Sequence, residues 1–292
     1  MELMLAAPSP ALVLGAAFAL GLVIGSFLNV VIHRVPRGES IVRPRSRCPS
    51  CGRTLRALEN LPLLSYLVLR GRCRGCGARI SPRYPLVELA TAGIFTGVVW
   101  AHGLEPMTPL WLAFAGALIA AAGIDVEHHW IPDAISLGGL SVGLLAVPLA
   151  QTLGGGHYPD ELLRSGAGAL LGGGLLWIVG FVHARLSSAL GRRFEHWPGE
   201  GEPLPRPGSL DYWTWFPGLG FGDVKLLAMI GAFLGPLGVL QTILLAAGLG
   251  LVLGLGFALV RRSLSQPFGF APAIASAALL VVVAPLPLWV SL

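Results

Sequence analysis

The hydrophobic positions of this chain gather into runs close to the 20 or so residues that an α-helix needs to cross a bilayer. Such runs fall at about 11–32, 85–101, 108–124, 134–152, 165–184, 223–236, 238–260 and 269–290. The second and third are short, and the sixth is the least marked. Polar residues collect between them, above all in two stretches, 33–84 and 185–222. The pattern predicts an all-α polytopic membrane protein of about eight transmembrane helices.

Composition agrees and excludes other classes. Of 292 residues, 54% are hydrophobic and only 12% are charged, against about 25% charged in soluble domains. The mean hydropathy is +0.73. A soluble domain this apolar would expose large sticky patches, and disorder needs the opposite balance. The 40 glycines follow no collagen period and fit closely packed membrane helices.

Charge gives the topology. Twelve arginines lie between His33 and Pro85, opposed there only by Glu39 and Glu59. A nucleic-acid patch is one reading of such a stretch. In a membrane chain, a short basic loop that stays in the cytoplasm is the better one, so no nucleic-acid partner is expected. Eight spans with this loop inside put both termini outside and nineteen of the twenty Lys/Arg inside, leaving Arg164. The first run lacks the basic flank of a secretory signal and reads as a retained helix. The arginines suit contact with anionic lipid head groups, each worth about 1 kcal/mol near the surface.

The four cysteines form two pairs, Cys48-Pro-Ser-Cys51 and Cys73-Arg-Gly-Cys76. This is the spacing of a four-thiolate zinc ribbon. Gly52 and Gly77 follow the pairs and allow tight knuckles. Flanking arginines favour the thiolate form. Disulfides or a redox switch are the competing reading, and a cytoplasmic loop weighs against them. A closed four-cysteine site is structural by default.

Acids in or beside membrane spans are costly and often functional. The candidates are Glu88, Asp125, Glu127, Asp133 and Asp223. Asp125 ends the third span and Asp223 opens the sixth, in Gly220-Phe-Gly-Asp223. The topology puts both near the cytoplasmic interface, 98 residues apart in sequence. Two such carboxylates share one proton and can hydrolyse a peptide bond. One takes a proton from water while the other hydrogen-bonds the carbonyl oxygen. Gly220 and Gly222 would let a substrate backbone approach closely. A helix cap is the plainer role for Asp223, and a cap or turn for Asp133. Interfacial polarity is the plainer role for His128 and His129, and charge pairing or anchoring for Lys225.

Together these pieces resemble the type IV prepilin peptidase family, the prepilin leader peptidase/N-methyltransferases of bacteria. The resemblance rests on Gly25 to Pro36, the two cysteine pairs, Ile80 to Leu89, Asp125 with Ile131-Pro-Asp133, and Gly220 to Gly235. It implies an intramembrane aspartic protease of the Gly-x-Gly-Asp type, with Asp125 and Asp223 at the catalytic positions. Such enzymes cut prepilins or pseudopilins after Gly, then often methylate the new N-terminus with S-adenosylmethionine. The resemblance further implies the bacterial inner membrane, with cleavage near its cytoplasmic face. It divides the chain into 1–106, holding two spans and the zinc-ribbon-like loop and linked to methyl transfer, and 107–292, a six-span peptidase region. Glu88 matches a position in the first region. No glycine-rich nucleotide loop marks where S-adenosylmethionine binds. The pilin or pseudopilin substrate and the oligomeric state are not specified.

The Pro/Trp-rich loop 186–219 has no clear counterpart in the family. An interfacial aromatic belt and a lid over Asp223 are its two readings. Two other classes compete with the enzyme. A transporter or channel would use the acids for proton or cation coupling, and would place them near the midplane with inverted repeats. A scaffold would use the zinc ribbon to dock a partner and would work without either aspartate.

Overall fold

A computed structural model describes residues 9–192, 205–261 and 269–284. Its elements are helical: α1 (Pro10–Arg34), α2 (Leu64–Val68), α3 (Arg83–His102), α4 (Thr108–His128), α5 (Asp133–Leu153), α6 (Tyr158–Ala189), α7 (Leu210–Thr214), α8 (Phe221–Arg261) and α9 (Ala271–Val283). The ends of several helices are encoded locally. Ser9 caps α1 with its side chain on the Leu12 amide, and Pro10 occupies the first turn, where a missing N–H costs nothing. His129, at φ 54°, ends α4 in the left-handed region. Pro132 then precedes the first residue of α5.

Six helices are long and apolar enough to cross a bilayer: α1, α3, α4, α5, α6 and α8. The sequence predicts eight spans, and the difference lies wholly in α8 and α9. Within α8, Gly235 is non-helical, at φ 71° and ψ −178°, and Pro236 follows. A Cβ on Gly172 would stand 2.8 Å from Val239 Cγ2 and 3.0 Å from the Leu227 carbonyl carbon. In an unbroken helix those two residues would lie about 18 Å apart along the axis. The helix therefore doubles back at Gly235. Its arms, 221–234 and 236–261, coincide with the sixth and seventh expected runs. The eighth falls on α9, whose 13 residues are shorter than a full crossing.

The chain divides into two compact units, one of residues 1–124 with 282–285 and one of residues 125–281 with 286–292. In the first, α1 packs along α3. A Cβ on Gly21 would meet Ala92 Cα and one on Gly25 would meet Glu88 Cα at 2.7 Å, so the two backbones touch. Ile32 of α1 seats against Gly123 of α4. Between α1 and α3 lies the cysteine loop, nearly free of regular structure apart from α2 and two short 3-10 turns.

In the second unit α6 packs along α8, and α5 packs on both. Gly139 and Gly143 of α5 receive Met229 and Phe233 of α8. Gly168 of α6 fits against the Gly231 and Gly235 backbones, where an added Cβ would stand 2.8 Å from either carbonyl carbon. Large apolar side chains point outward instead: Leu170, Val179 and Leu244 are exposed. Small residues inside and leucines outside is the arrangement lipid favours, since leucine gains nothing by leaving it.

This packing predicts the effect of one substitution. Gly168→Leu should separate α6 from α8 and destabilise the unit by about 1–3 kcal/mol, the cost of overpacking. Gly166→Leu, at a position with open space around it, should change stability by less than about 0.5 kcal/mol. Thermal unfolding in detergent micelles distinguishes them, and equal effects would contradict the packing described.

Candidate active site

Asp125 lies in the last turn of α4 and is buried. A carboxylate there faces the negative end of the helix dipole and needs a donor from elsewhere. It finds one at the start of α9, where the Ala271 amide donates to Asp125 Oδ2 at 3.2 Å. Ala271 is the first residue of its helix, so this N–H has no partner within the helix. Gly269 lies against the same carboxylate: a Cβ there would stand 2.8 Å from Asp125 Cγ. The segment Gly269-Phe-Ala271 was not singled out by the sequence reading. Its signal is two small residues flanking Phe270 just ahead of an apolar run.

Asp223 sits in the first turn of α8, where a negative charge suits the dipole. The turn before it is built by Gly218 at φ 74° and a Phe216–Leu219 bridge. The Asp223 amide donates to the Gly220 carbonyl. Gly222 packs on Ile131, with 3.4 Å from an added Cβ to Ile131 Cβ. Asp223 is part of the first turn rather than its N-cap. The fold brings the two aspartates together: the Asp125 charge acts on Asp223. The other acids go elsewhere. Asp133 heads α5 and accepts from Lys225, so the lysine is a charge partner. Glu127 lies beside His128 at 3.9 Å.

An aromatic cluster fastens the chain ahead of Gly220. Trp177 and Phe181 of α6 stack with Trp213. Arg185 lies over the Tyr212 ring at 3.6 Å and donates to the Tyr212 carbonyl. Trp177 Nε1 donates to the Trp213 carbonyl at 2.8 Å. Phe216 is buried among them. The segment 205–219 is thus pinned to α6. Residues 193–204 of the same loop, including much of the segment whose deletion would test a lid, lie outside the described residues.

In the first unit the four cysteine sulfurs lie within 4.8 Å of one another. The two pairs are built alike. Cys48 N–H donates to Arg53 O, and Gly52 N–H to Cys48 O; Cys73 N–H donates to Ala78 O, and Gly77 N–H to Cys73 O. Gly52 and Gly77 take φ 72° and 71°, which only glycine adopts freely. The amides of Cys76 and Gly75 pull the Cys73 thiol down to about 6. Cys48 and Cys76 sulfurs stand 3.9 Å apart, close to the roughly 3.8 Å edge of a tetrahedral site with 2.3 Å zinc–sulfur bonds. The donor set therefore fits zinc. Arg53 braces the first knuckle with two 3.0 Å bonds to Glu59, which holds the Glu59 carboxyl below its ordinary range, with help from the Arg56 amide.

Glu88 of α3 is buried in the same unit, and its Oε2 accepts from the Leu63 amide at 2.7 Å. Asn29 of α1 is buried beside it and donates to the Gly25 and Tyr84 carbonyls.

Comparison with known proteins agrees with this arrangement. Residues 19–102 match the bacterial peptidase A24 N-terminal domain, and residues 112–255 match the type IV leader peptidase family. The chain is 39% identical over 244 residues to a prepilin leader peptidase/N-methyltransferase of Myxococcus xanthus, covering 82% of this chain and 61% of that one. It is 36% identical to a type 4 prepilin-like proteins leader peptide-processing enzyme of Escherichia coli O78:H11, over 85% of this chain and 86% of that one. A prepilin leader peptidase/N-methyltransferase of Pseudomonas putida is 33% identical over 94% and 92%. No solved structure matches. With two adjoining domains matched in order and more than 30% identity along most of the chain, this protein belongs to the type IV leader peptidase family.

Proposed function

We propose that this multi-pass membrane protein is an aspartic endopeptidase that removes the leader from type IV prepilins or pseudopilins after Gly. Cleavage takes place at the cytoplasmic face of a bacterial inner membrane, and methylation of the new N-terminal residue follows. The relatives named above carry both activities in their names. The observation that supports the chemistry is the Asp125 carboxylate, held by the Ala271 amide within electrostatic reach of Asp223. Asp125 and Asp223 form the catalytic pair. One accepts a proton from a water, whose oxygen attacks the Gly carbonyl carbon. The other donates to the carbonyl oxygen and later returns its proton balance through the leaving amine. Membership in a peptidase family favours this reading over a transporter or channel.

Zinc is held by Cys48, Cys51, Cys73 and Cys76 and is structural: all four positions are protein thiolates, which leaves no open site. Its contribution is to hold two knuckles together in a loop with little regular structure. S-adenosylmethionine supplies the methyl group.

Three outcomes test this reading. Asp125→Asn and Asp223→Asn should each lower the cleavage rate of a prepilin with a Gly-Phe junction by about 10³-fold, within the range for general acid–base groups. Mass spectrometry of the products decides, and cutting that survives both changes would refute the pair. Gly269→Ala should displace the Asp125 carboxylate and slow cleavage by at least about tenfold, on the scale of a misplaced catalytic group. Metal analysis should find roughly one zinc per chain, lost on Cys73→Ser. Full retention of zinc in that variant would move the metal elsewhere.

A further inference from the structure

We infer that the cavity between α1, α3 and the cysteine loop is the site that binds the methyl donor, a sulfonium-bearing adenosine derivative, with Asn29 and Glu88 as its contact residues. The inference rests on the methyl-transfer half of the proposed function and assigns it a place. The cavity measures about 470 Å³, within the range of small-molecule sites, and lies wholly within the first unit.

Asn29 is only 2% exposed and lines this cavity. Both of its amide hydrogens are used, on Gly25 O at 3.2 Å and Tyr84 O at 3.1 Å. That fixes which end of the amide is which and leaves Oδ1 as an acceptor with no partner. A buried acceptor without a donor is costly, and the missing donor is an N–H of something that enters the cavity.

Glu88 is 7% exposed and also lines the cavity. It has the Leu63 amide and Ser26 beside it, but no lysine or arginine pairs with it among the described residues. A buried carboxylate without a cation is unfavourable. Leu63 holds φ 59° while making its bond, a conformation L residues rarely adopt and one that clusters at ligand clamps. The site thus spends backbone strain to hold a carboxylate in place. A sulfonium is a permanent cation with no N–H, so a carboxylate oxygen is its natural counter-ion. Tyr66 and Tyr84 on the wall offer ring faces for an adenine, and Arg79 at the same wall offers a cation for the donor's own carboxylate.

The transfer balances with these groups. Asn29 Oδ1 accepts from the attacking amine and points its lone pair at the methyl carbon. The nitrogen–carbon bond forms as the carbon–sulfur bond breaks, and sulfur keeps the electron pair as a neutral thioether. Glu88, now without its counter-ion, takes the proton that the nitrogen loses.

The test measures binding of radiolabelled S-adenosylmethionine and of S-adenosylhomocysteine to the full chain in detergent, by equilibrium dialysis. Wild type should bind the sulfonium compound about tenfold more tightly than the thioether. Glu88→Gln should abolish that preference. Asn29→Leu should weaken both ligands by about tenfold, and Asn29→Asp, which keeps an acceptor, should restore binding. Gel filtration and melting temperature report whether each variant is folded, and the aspartate variant carries the test if the leucine variant is not. Photolabelling by the methyl-labelled donor should mark peptides around Asn29 and Glu88. Normal binding and preference in folded Asn29 and Glu88 variants, or labelling elsewhere, would overturn the site while leaving methyl transfer intact. A wild type that binds neither compound and adds no methyl group to a cleaved pilin would overturn both the site and the methyl-transfer reading.

Discussion

The close approach of helix backbones through glycine is the constraint on which the rest depends. In lipid a leucine gains nothing by leaving the acyl chains for another helix, so association rests on dispersion and on polar contacts at short range. Gly25 lets α1 reach the Cα of Glu88, and the same contact sets Asn29 beside the Tyr84 carbonyl. Gly168 lets α6 enter the corner where α8 turns at Gly235. Move either pair apart by the width of a methyl group, and the side chains they align lose their register. The glycines are therefore part of the sites, although none carries chemistry.

Once water is excluded, each buried polar group needs its own partner. Asp125 has the Ala271 amide, Glu88 has the Leu63 amide, and Glu59 has Arg53. Two of these places carry left-handed backbone at residues with side chains, Leu63 beside Glu88 and His129 four residues after Asp125. Such conformations persist only where the surroundings over-determine them. The strain stands next to the acids rather than scattered through the helices.

Much of this was legible in the sequence because it depends on local pattern. Run length marks the six long helices, and the Cys-x-x-Cys spacing brings the four sulfurs together. Lys225 and Asp133 pair as their charges suggest. Asp125 and Asp223 stood out because carboxylates at the ends of apolar runs are rare. What could not be read depends on contacts distant in sequence. Gly235 looks like any glycine before a proline until Gly172 is seen touching both arms of α8. Ala271 matters through a backbone N–H, which every residue but proline has. Asn29 is an ordinary interfacial asparagine until both of its amide hydrogens are assigned. The loop 186–219 was read as a belt or a lid, and its described part is instead anchored to α6 by stacked rings. A run of tryptophans and prolines gives no hint of which helix will receive them.

The position of the aspartates follows from where a membrane helix has hydrogen-bonding capacity to spare. Inside a span every amide is used by the carbonyl four residues away. Only the first amides and the last carbonyls are free. Asp125 is in the last turn of one helix, Asp223 is in the first turn of another, and Ala271 begins a third. Three helix ends thus meet within the second unit, and the donor that holds Asp125 is one of the few backbone amides that a bundle can lend. A carboxylate pair at mid-helix would have needed side-chain donors, each with its own burial cost. Placing the pair at termini lets the backbone do that work, and helix ends are also where water can arrive. Hydrolysis inside a membrane protein requires a fixed carboxylate and a water molecule in one place, and the ends of helices are where a lipid-embedded fold can supply both.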